Sequence, residues 1–480
     1  MAELLNPSNE TAPGDRKKIL MISPARRRNP NEDFLFKMSF LNLPYIAAVT
    51  PPGYEVEIVD EEHQAVDPDA RPRLVALSAQ TPVAPRAYEL AGLFRRKGVP
   101  VVMGGAHASA RPDEALEHVD AVVVGEGERV WPELLRDLES GSLKRLYRDD
   151  GPRRDARGGV EPRRDLLNPR FYTPLTMVET TRGCPHRCDF CGVSRFFGHR
   201  YRKRPLAEVE AELRGLFPSG LRHKAGRLAA RLGLDLPYFL ERRLVYFIDS
   251  NFAADRAYTR RLMDLLEEID LLWWAHATVD VARDEAFLAQ MGRSGCIALN
   301  IGFESLSPDN LRAMHKPFSG FDYRRAIRRI HAHGIGIMGT FVVGFDGEGP
   351  EIFDEIAAFV EETRLDWALV FIRTPYPGTR LFEELEGQGR IRTRDWALYD
   401  TLNCVFEPVG LSPGDLENGL RRTWKRIFSP RSIYRRILRG PRVHPVFYLM
   451  MNLQFFRMVR TWREAPPSPN PPLEVRRKDE

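Results

Sequence analysis

The stretch Glu179-Thr-Thr-Arg-Gly-Cys184-Pro-His-Arg-Cys188-Asp-Phe-Cys191 sets three cysteines at C-x-x-x-C-x-x-C spacing directly after a predicted strand over 175–179. A strand feeding such a loop reads as the first unit of a parallel α/β architecture, whose strand ends carry function. Three thiolates from one compact loop can converge on an iron–sulfur cluster. A four-iron cube held by three cysteines keeps one iron open, and an open metal position is where a ligand binds and reacts. Structural zinc is the alternative, but it wants four closed ligands and usually a second C-x-x-C pair. His186 would have to serve from inside the loop, and Cys296 and Cys404 stand alone in the sequence. The cluster reading, with Cys184, Cys188 and Cys191 as ligands, is preferred.

Downstream of the loop, apolar runs over 244–249, 273–278, 297–303, 336–343 and 368–373 alternate with helical segments such as 258–269 and 323–333. With 175–179 they make six β/α units, and a partial barrel is expected over 172–380. A basic, Leu- and Ala-bearing insertion over 213–243 reads as helical decoration rather than a lid. Beyond 381 the pattern turns helical and basic to about 465. Within it, 445–459 is apolar and aromatic; core packing is preferred to an interfacial helix at a membrane or greasy substrate. The tail over 466–480, Pro-rich and charged, is expected to be disordered.

Upstream lie short runs over 19–22, 56–59, 74–77, 99–103 and 121–124, most of which do not alternate, as expected of strands covered on both faces. Ala87, Leu90, Ala91 and Phe94 recur at helical spacing between two of them. The fold class is therefore α/β, with a doubly wound parallel sheet over 17–140 ahead of the barrel. Ligands of such sheets sit beyond the carboxyl ends of the strands. Those ends carry Ser78-Ala79-Gln80-Thr81, Gly104-Gly105-Ala106-His107 and Gly125-Glu126-Gly127-Glu128. Residues 141–171, rich in Arg, Asp, Gly and Pro, read as a linker.

The 480 residues carry 71 basic and 66 acidic side chains, a balance that demands no nucleic-acid partner. The basic clusters at 26–28 and 200–204 read as solvated surface. Five cysteines, three of them clustered, form a poor disulfide framework and fit a reduced compartment. No secretory signal is visible, and no run reaches the roughly 18 apolar residues needed to span a bilayer. A cytoplasmic location is expected.

The cysteine loop resembles that of the radical SAM superfamily, C-x-x-x-C-x-φ-C, with Phe190 in the aromatic position. The resemblance implies that the open iron chelates S-adenosylmethionine, which is cleaved reductively to a 5′-deoxyadenosyl radical. It further implies Asn251, in Asp249-Ser-Asn-Phe, and Glu304, in Gly302-Phe-Glu-Ser, as SAM contacts, and Gly339 near adenine. Thr374-Pro-Tyr-Pro-Gly-Thr379 matches the turn after the sixth strand, where Tyr376 is a candidate substrate contact.

The N-terminal sheet resembles the cobalamin-binding domain fused to many radical SAM enzymes, through 54–61, 104–107 and 124–128. Ser78, Gln80, Gly104, Gly105, Gly125 and Glu126 are the implied cobalamin contacts. The sequence departs from the D-x-H-x-x-G motif of cobalamin mutases: two residues separate Asp60 from His63, and Val66 replaces the glycine. His63 and His107 are therefore not expected to ligate cobalt. The chain is similar to class B radical SAM methyltransferases, which implies methylation of an unactivated carbon. A non-methylating oxidoreductase, cyclase or ring-rearranging enzyme stays open, as does a cobalamin sensor or carrier. The implied partners are a small-molecule substrate (a lipid, isoprenoid or tetrapyrrole) and an external electron donor such as flavodoxin or ferredoxin.

Overall fold

The computed structural model describes residues 17–26, 37–149, 160–173, 175–217, 244–438 and 444–461. Six strands form the first sheet: β1 (Lys17–Ser23), β2 (Tyr54–Asp60), β3 (Leu74–Ser78), β4 (Val101–Gly104), β5 (Ala121–Val124) and β6 (Leu146–Arg148), in the order β2-β1-β3-β4-β5-β6. Every pairing is parallel. Helices cover both faces, so the inner strands are apolar along their whole length. Leu20, Val75 and Met103 pack on the helix Ala84–Arg95, while Met21, Ala76 and Val102 face the helices Asn42–Ala48 and Trp131–Glu139.

The second sheet is also fully parallel. Its strands are β7 (Thr176–Val178), β10 (Leu244–Phe247), β11 (Leu272–Ala277), β12 (Cys296–Glu304), β13 (Gly336–Val343) and β14 (Trp367–Ile372), ordered β14-β13-β12-β11-β10-β7. It curls into a partial barrel with helices outside. A small antiparallel pair, β8 (Thr181–Arg182) with β9 (Arg202–Lys203), frames the cysteine loop. Each predicted barrel strand corresponds to an observed one, displaced by at most two residues at an end.

The predicted linker holds β6, which pairs with β5, and past it Arg164 donates to the Met177 carbonyl and to Glu212. The two apolar residues of β6, Leu146 and Tyr147, are too few to stand out between Arg145 and Arg148. Residues 150–159 of that segment lie outside the described residues, as do 218–243 of the insertion and the tail beyond 461. Leu213 itself is buried in the helix Leu206–Leu216.

The C-terminal helix Pro445–Thr461 enters the lower half of the barrel. Phe447, Tyr448 and Met451 pack with Trp274, Ile297, Ala298 and Met338. The Tyr448 hydroxyl donates to the Ile297 carbonyl, and a side chain at Gly336 would collide with the Tyr448 ring. The fully buried Arg436 ties this helix down by donating to Asn452, Ser432 and the carbonyls of Leu365 and Ile427. The core-packing reading of this face therefore holds. Phe447→Ala should lower unfolding free energy by ~3–5 kcal/mol in urea titrations. Val446→Ala, on the exposed side of the same helix, should change it by less than about 1 kcal/mol.

Candidate active site

Sheet polarity puts the cysteine loop at the carboxyl end of the barrel. Cys184, Cys188 and Cys191 are free and partly exposed. Burial pushes the Cys188 thiol up to about 11 and raises Cys184, against the nearby Lys316 charge. Among the described residues no three His, Cys, Asp or Glu side chains form a group that could hold a single metal ion. A cube takes one thiolate per iron corner and so spreads its ligands wider than one ion does.

The loop is fixed from several sides. Asp249, fully buried after β10, accepts from the Thr180 amide at 2.7 Å, the Thr181 amide at 2.9 Å and the Thr180 hydroxyl. Asp189 accepts from His315 Nδ1 at 2.8 Å, and its backbone amide donates to the Met314 carbonyl. Phe190 packs with Leu311, Met314 and Phe345.

Beside the thiols lie Asn251, Glu304 and Lys316. Asn251 is 2% exposed, its Nδ2 approaches His186 Nε2 at 3.5 Å, and its Oδ1 is buried without a hydrogen-bond partner. Such an orphan acceptor is costly unless a ligand satisfies it. Glu304 has φ +63° and accepts from Lys316 Nζ at 2.8 Å. Burial opposes the Lys316 charge, but Glu304 and the Cys188 thiol raise its pKa, so it stays an ammonium. A side chain at Gly302 would strike both partners. An ammonium, a carboxylate and an orphan carbonyl match the carboxylate and amino groups of an amino-acid-like ligand, so this corner fits SAM.

Lys316 was missed by sequence reasoning, because its distance along the chain from Glu304 carries no periodic signal. An added Cβ at Gly339 would meet Phe303 and Leu365, and the side chains facing inward from β13 are Met338, Thr340 and Val342. Tyr376 packs with the Phe382, Trp396, Tyr399 and Val405 cluster.

Along the central strands, partial exposure recurs at alternate positions: His276 on β11, Asn300 and Gly302 on β12, Thr340 and Val342 on β13. Period two on covered strands means these side chains line an open lumen above the plugging helix. Asn300 Nδ2 donates to the Tyr246 hydroxyl at 3.2 Å, which in turn bonds His276 Nε2. A histidine inside an apolar strand reads from sequence as core, which is why this trio went unnoticed.

The carboxyl ends of the first sheet face the same region. Ser78, Gly104, Gly105, Gly125 and Glu126 border a mostly apolar cleft that also touches Trp131, Arg182, Phe196 and Phe197. Gly105 has φ +97°, and an added Cβ would lie 2.7 Å from the Ala79 carbonyl oxygen, so only glycine fits. The cleft encloses about 130 Å³, below the roughly 300–1,000 Å³ that surrounds a drug-sized ligand. Only part of a macrocyclic cofactor would enter it. Gln80 is exposed and does not border it.

Glu126 and Glu128 also receive Arg182, which bonds Glu179 at 3.0 Å, and Arg202 bonds Glu126. Burial would raise the Glu126 carboxyl, but the Arg202 hydrogen bond and the Arg182 charge hold it low. The clamp thus joins the glycine-rich sheet ends to the strand pair carrying the cysteine loop. His107 is buried against Tyr88, Glu114 and Trp396, and His63 stacks on Phe171.

Burial pulls the His276 imidazole down to about 4, against about 6.5 in an unfolded chain. The folded state is then neutral where the unfolded state is protonated, so stability is intact above about pH 6.5 and declines as pH falls towards 4. The urea midpoint should drop across that window and drop less in His276→Gln. Equal slopes in both proteins would contradict the assignment.

A B12 binding domain model matches residues 33–135. The chain is 27% identical over 440 residues to bacteriochlorophyllide d C-12(1)-methyltransferase of Chlorobaculum tepidum, covering 89% of this chain and 90% of that protein. It is 26% identical over 402 residues to the anaerobic magnesium-protoporphyrin IX monomethyl ester cyclase of Cereibacter sphaeroides, covering 78% and 62%. The radical S-adenosylmethionine methyltransferase TsrM of Kitasatospora setae, solved with cobalamin and a [4Fe-4S] cluster, superposes with a TM-score of 0.62 at 18% identity, over 93% of this chain and 99% of that one. The described residues include no helix long and apolar enough to cross a membrane. With a B12 binding domain, similarity to a bacteriochlorophyllide methyltransferase along most of its length and the fold of a radical SAM methyltransferase solved with cobalamin, the chain is similar to the cobalamin-dependent radical SAM methyltransferases.

Proposed function

We propose that this protein is an enzyme that methylates an unactivated carbon of a small organic molecule, using a [4Fe-4S] cluster, SAM and cobalamin. The observation that carries the reading is the juxtaposition at the domain seam: three free thiols of one loop beside the Asn251, Glu304 and Lys316 corner, clamped by Arg182 to the glycine-rich sheet ends. When bound, the cluster and SAM supply a carbon-centred radical oxidant and cobalamin supplies a transferable methyl group.

The chain's own residues bind, orient and exclude water. Cys184, Cys188 and Cys191 would hold the cluster. Asn251, Glu304 and Lys316 would fix the polar end of SAM, and Phe190 would wall the loop. Ser78, Gly104, Gly105, Gly125 and Glu126 would border cobalamin, with His63 and His107 engaged elsewhere. The helix Pro445–Thr461 closes the lumen from below. Electrons would come from an external donor such as flavodoxin or ferredoxin. A tetrapyrrole is the substrate class most in keeping with the relatives, two of which are named for bacteriochlorophyllide d; another is a hopanoid methylase.

Anaerobically reconstituted protein, incubated with reductant, methyl-labelled SAM and chlorophyll-type precursors, should form 5′-deoxyadenosine and labelled product. Alanine at all three cysteines should remove the cubane signal. Formation of 5′-deoxyadenosine with an oxidised, unlabelled product would favour the cyclase reading; no 5′-deoxyadenosine would end both. Lys316→Met should weaken SAM binding at least about tenfold in equilibrium dialysis and leave iron content unchanged.

A further inference from the structure

The helix Pro445–Thr461 has a second apolar stripe, opposite its plugging face. Val446, Met450 and Leu453 follow at i, i+4 and i+7 and are 37%, 36% and 40% exposed. Arg457 and Arg460 continue the stripe, also exposed. The preceding segment repeats the combination: Tyr434 and Leu438 are 57% and 51% exposed, beside exposed Arg431 and Arg435. Five of the eight exposed large hydrophobic side chains among the described residues fall between 434 and 453, so this is a patch rather than scatter.

The charge here is one-sided. Between Glu417 and Glu464 the sequence holds twelve Arg or Lys and no Asp or Glu, in a chain whose net charge is only +5. Among the described residues, Arg431, Arg435, Arg457 and Arg460 form no ion pair. Arg426, just before the patch, pairs with Asp354 and Glu361.

We propose that this face docks the protein on an anionic phospholipid bilayer. An apolar stripe continued by arginines is the pattern of a helix lying in the headgroup region, with its greasy side chains below and its guanidinium groups at the phosphates. A second copy of the chain fits worse, because a two-fold contact would bring the same arginines face to face. A nucleic acid would use the arginines and leave Val446, Met450, Leu453 and Leu438 in water. The patch lies on the amino-terminal side of the barrel strands, so docking leaves the cysteine loop and the domain seam facing water. The proposal uses only the fold and the surface and is independent of the methylation reading.

The test is co-sedimentation of the full-length protein with phosphatidylcholine vesicles and with equimolar phosphatidylcholine–phosphatidylglycerol vesicles. Binding is expected to the second only and to weaken with added salt. Arg457→Glu with Arg460→Glu, and separately Met450→Ser with Leu453→Ser, should each weaken it at least about tenfold. These are exposed positions, so circular dichroism and the thermal midpoint should match the wild type. No binding to anionic vesicles, equal binding to both compositions, or undiminished binding by both variants would overturn the proposal. So would a concentration-dependent dimer that the Met450→Ser, Leu453→Ser protein loses.

Discussion

A single guanidinium, that of Arg182, binds three carboxylates drawn from two domains: Glu179 at the mouth of the barrel, and Glu126 and Glu128 at the end of β5. It is 3% exposed, and Arg202 adds a second cation to Glu126. A buried group of this kind is not valued for its net stability, since desolvation consumes much of the Coulombic gain. Its consequence is register. Charges that cannot find water tolerate little displacement, so the cysteine loop and the glycine-rich sheet ends are held at one fixed offset. A second tie acts on the far side, where Trp396 donates to Glu114, itself bonded to His107 and Tyr88.

Between these ties the structure separates wet from dry. The upper lumen keeps hydrogen-bonding groups, Asn251, His276, Asn300, Glu304 and Lys316, in positions that apolar walls prevent from relaxing. The lower lumen is filled by Phe447, Tyr448 and Met451. The proposed radical chemistry needs such partition, because a misplaced weak C–H or S–H donor would quench a reactive carbon. Asp249 contributes in the same sense: it takes two backbone amides and a hydroxyl of the segment just ahead of Cys184, so the loop begins from a rigid point.

The cysteine spacing, the apolar runs of the strands and the glycine-rich sheet ends were legible in the sequence because they are local. Three thiols in eight residues, strands buried on both faces and positive-φ turns each imprint a short pattern. Cys184, Cys188 and Cys191 were singled out on that basis, whereas Asn251, Glu304, Gly105 and Glu126 came from the family resemblance. A glycine in a strand does not say which face it lies on, and at Gly339 only the pleat turns the Cβ direction towards Phe303 and Leu365. Strand β6 escaped notice because three residues at a sheet edge carry no run.

The sequence alone determined the class of fold, the order of its two sheets and the loop with its thiols, since those follow from near-neighbour periodicity and residue chemistry. Only the tertiary structure decided which distant charges meet. Lys316 reaches Glu304, Arg182 reaches Glu126 and Glu128, and His276 meets Tyr246 and Asn300 because separate strands and loops converge there. It also decided which face of the last helix is buried, since a stripe that is apolar on two sides has no preference until a barrel closes over one of them.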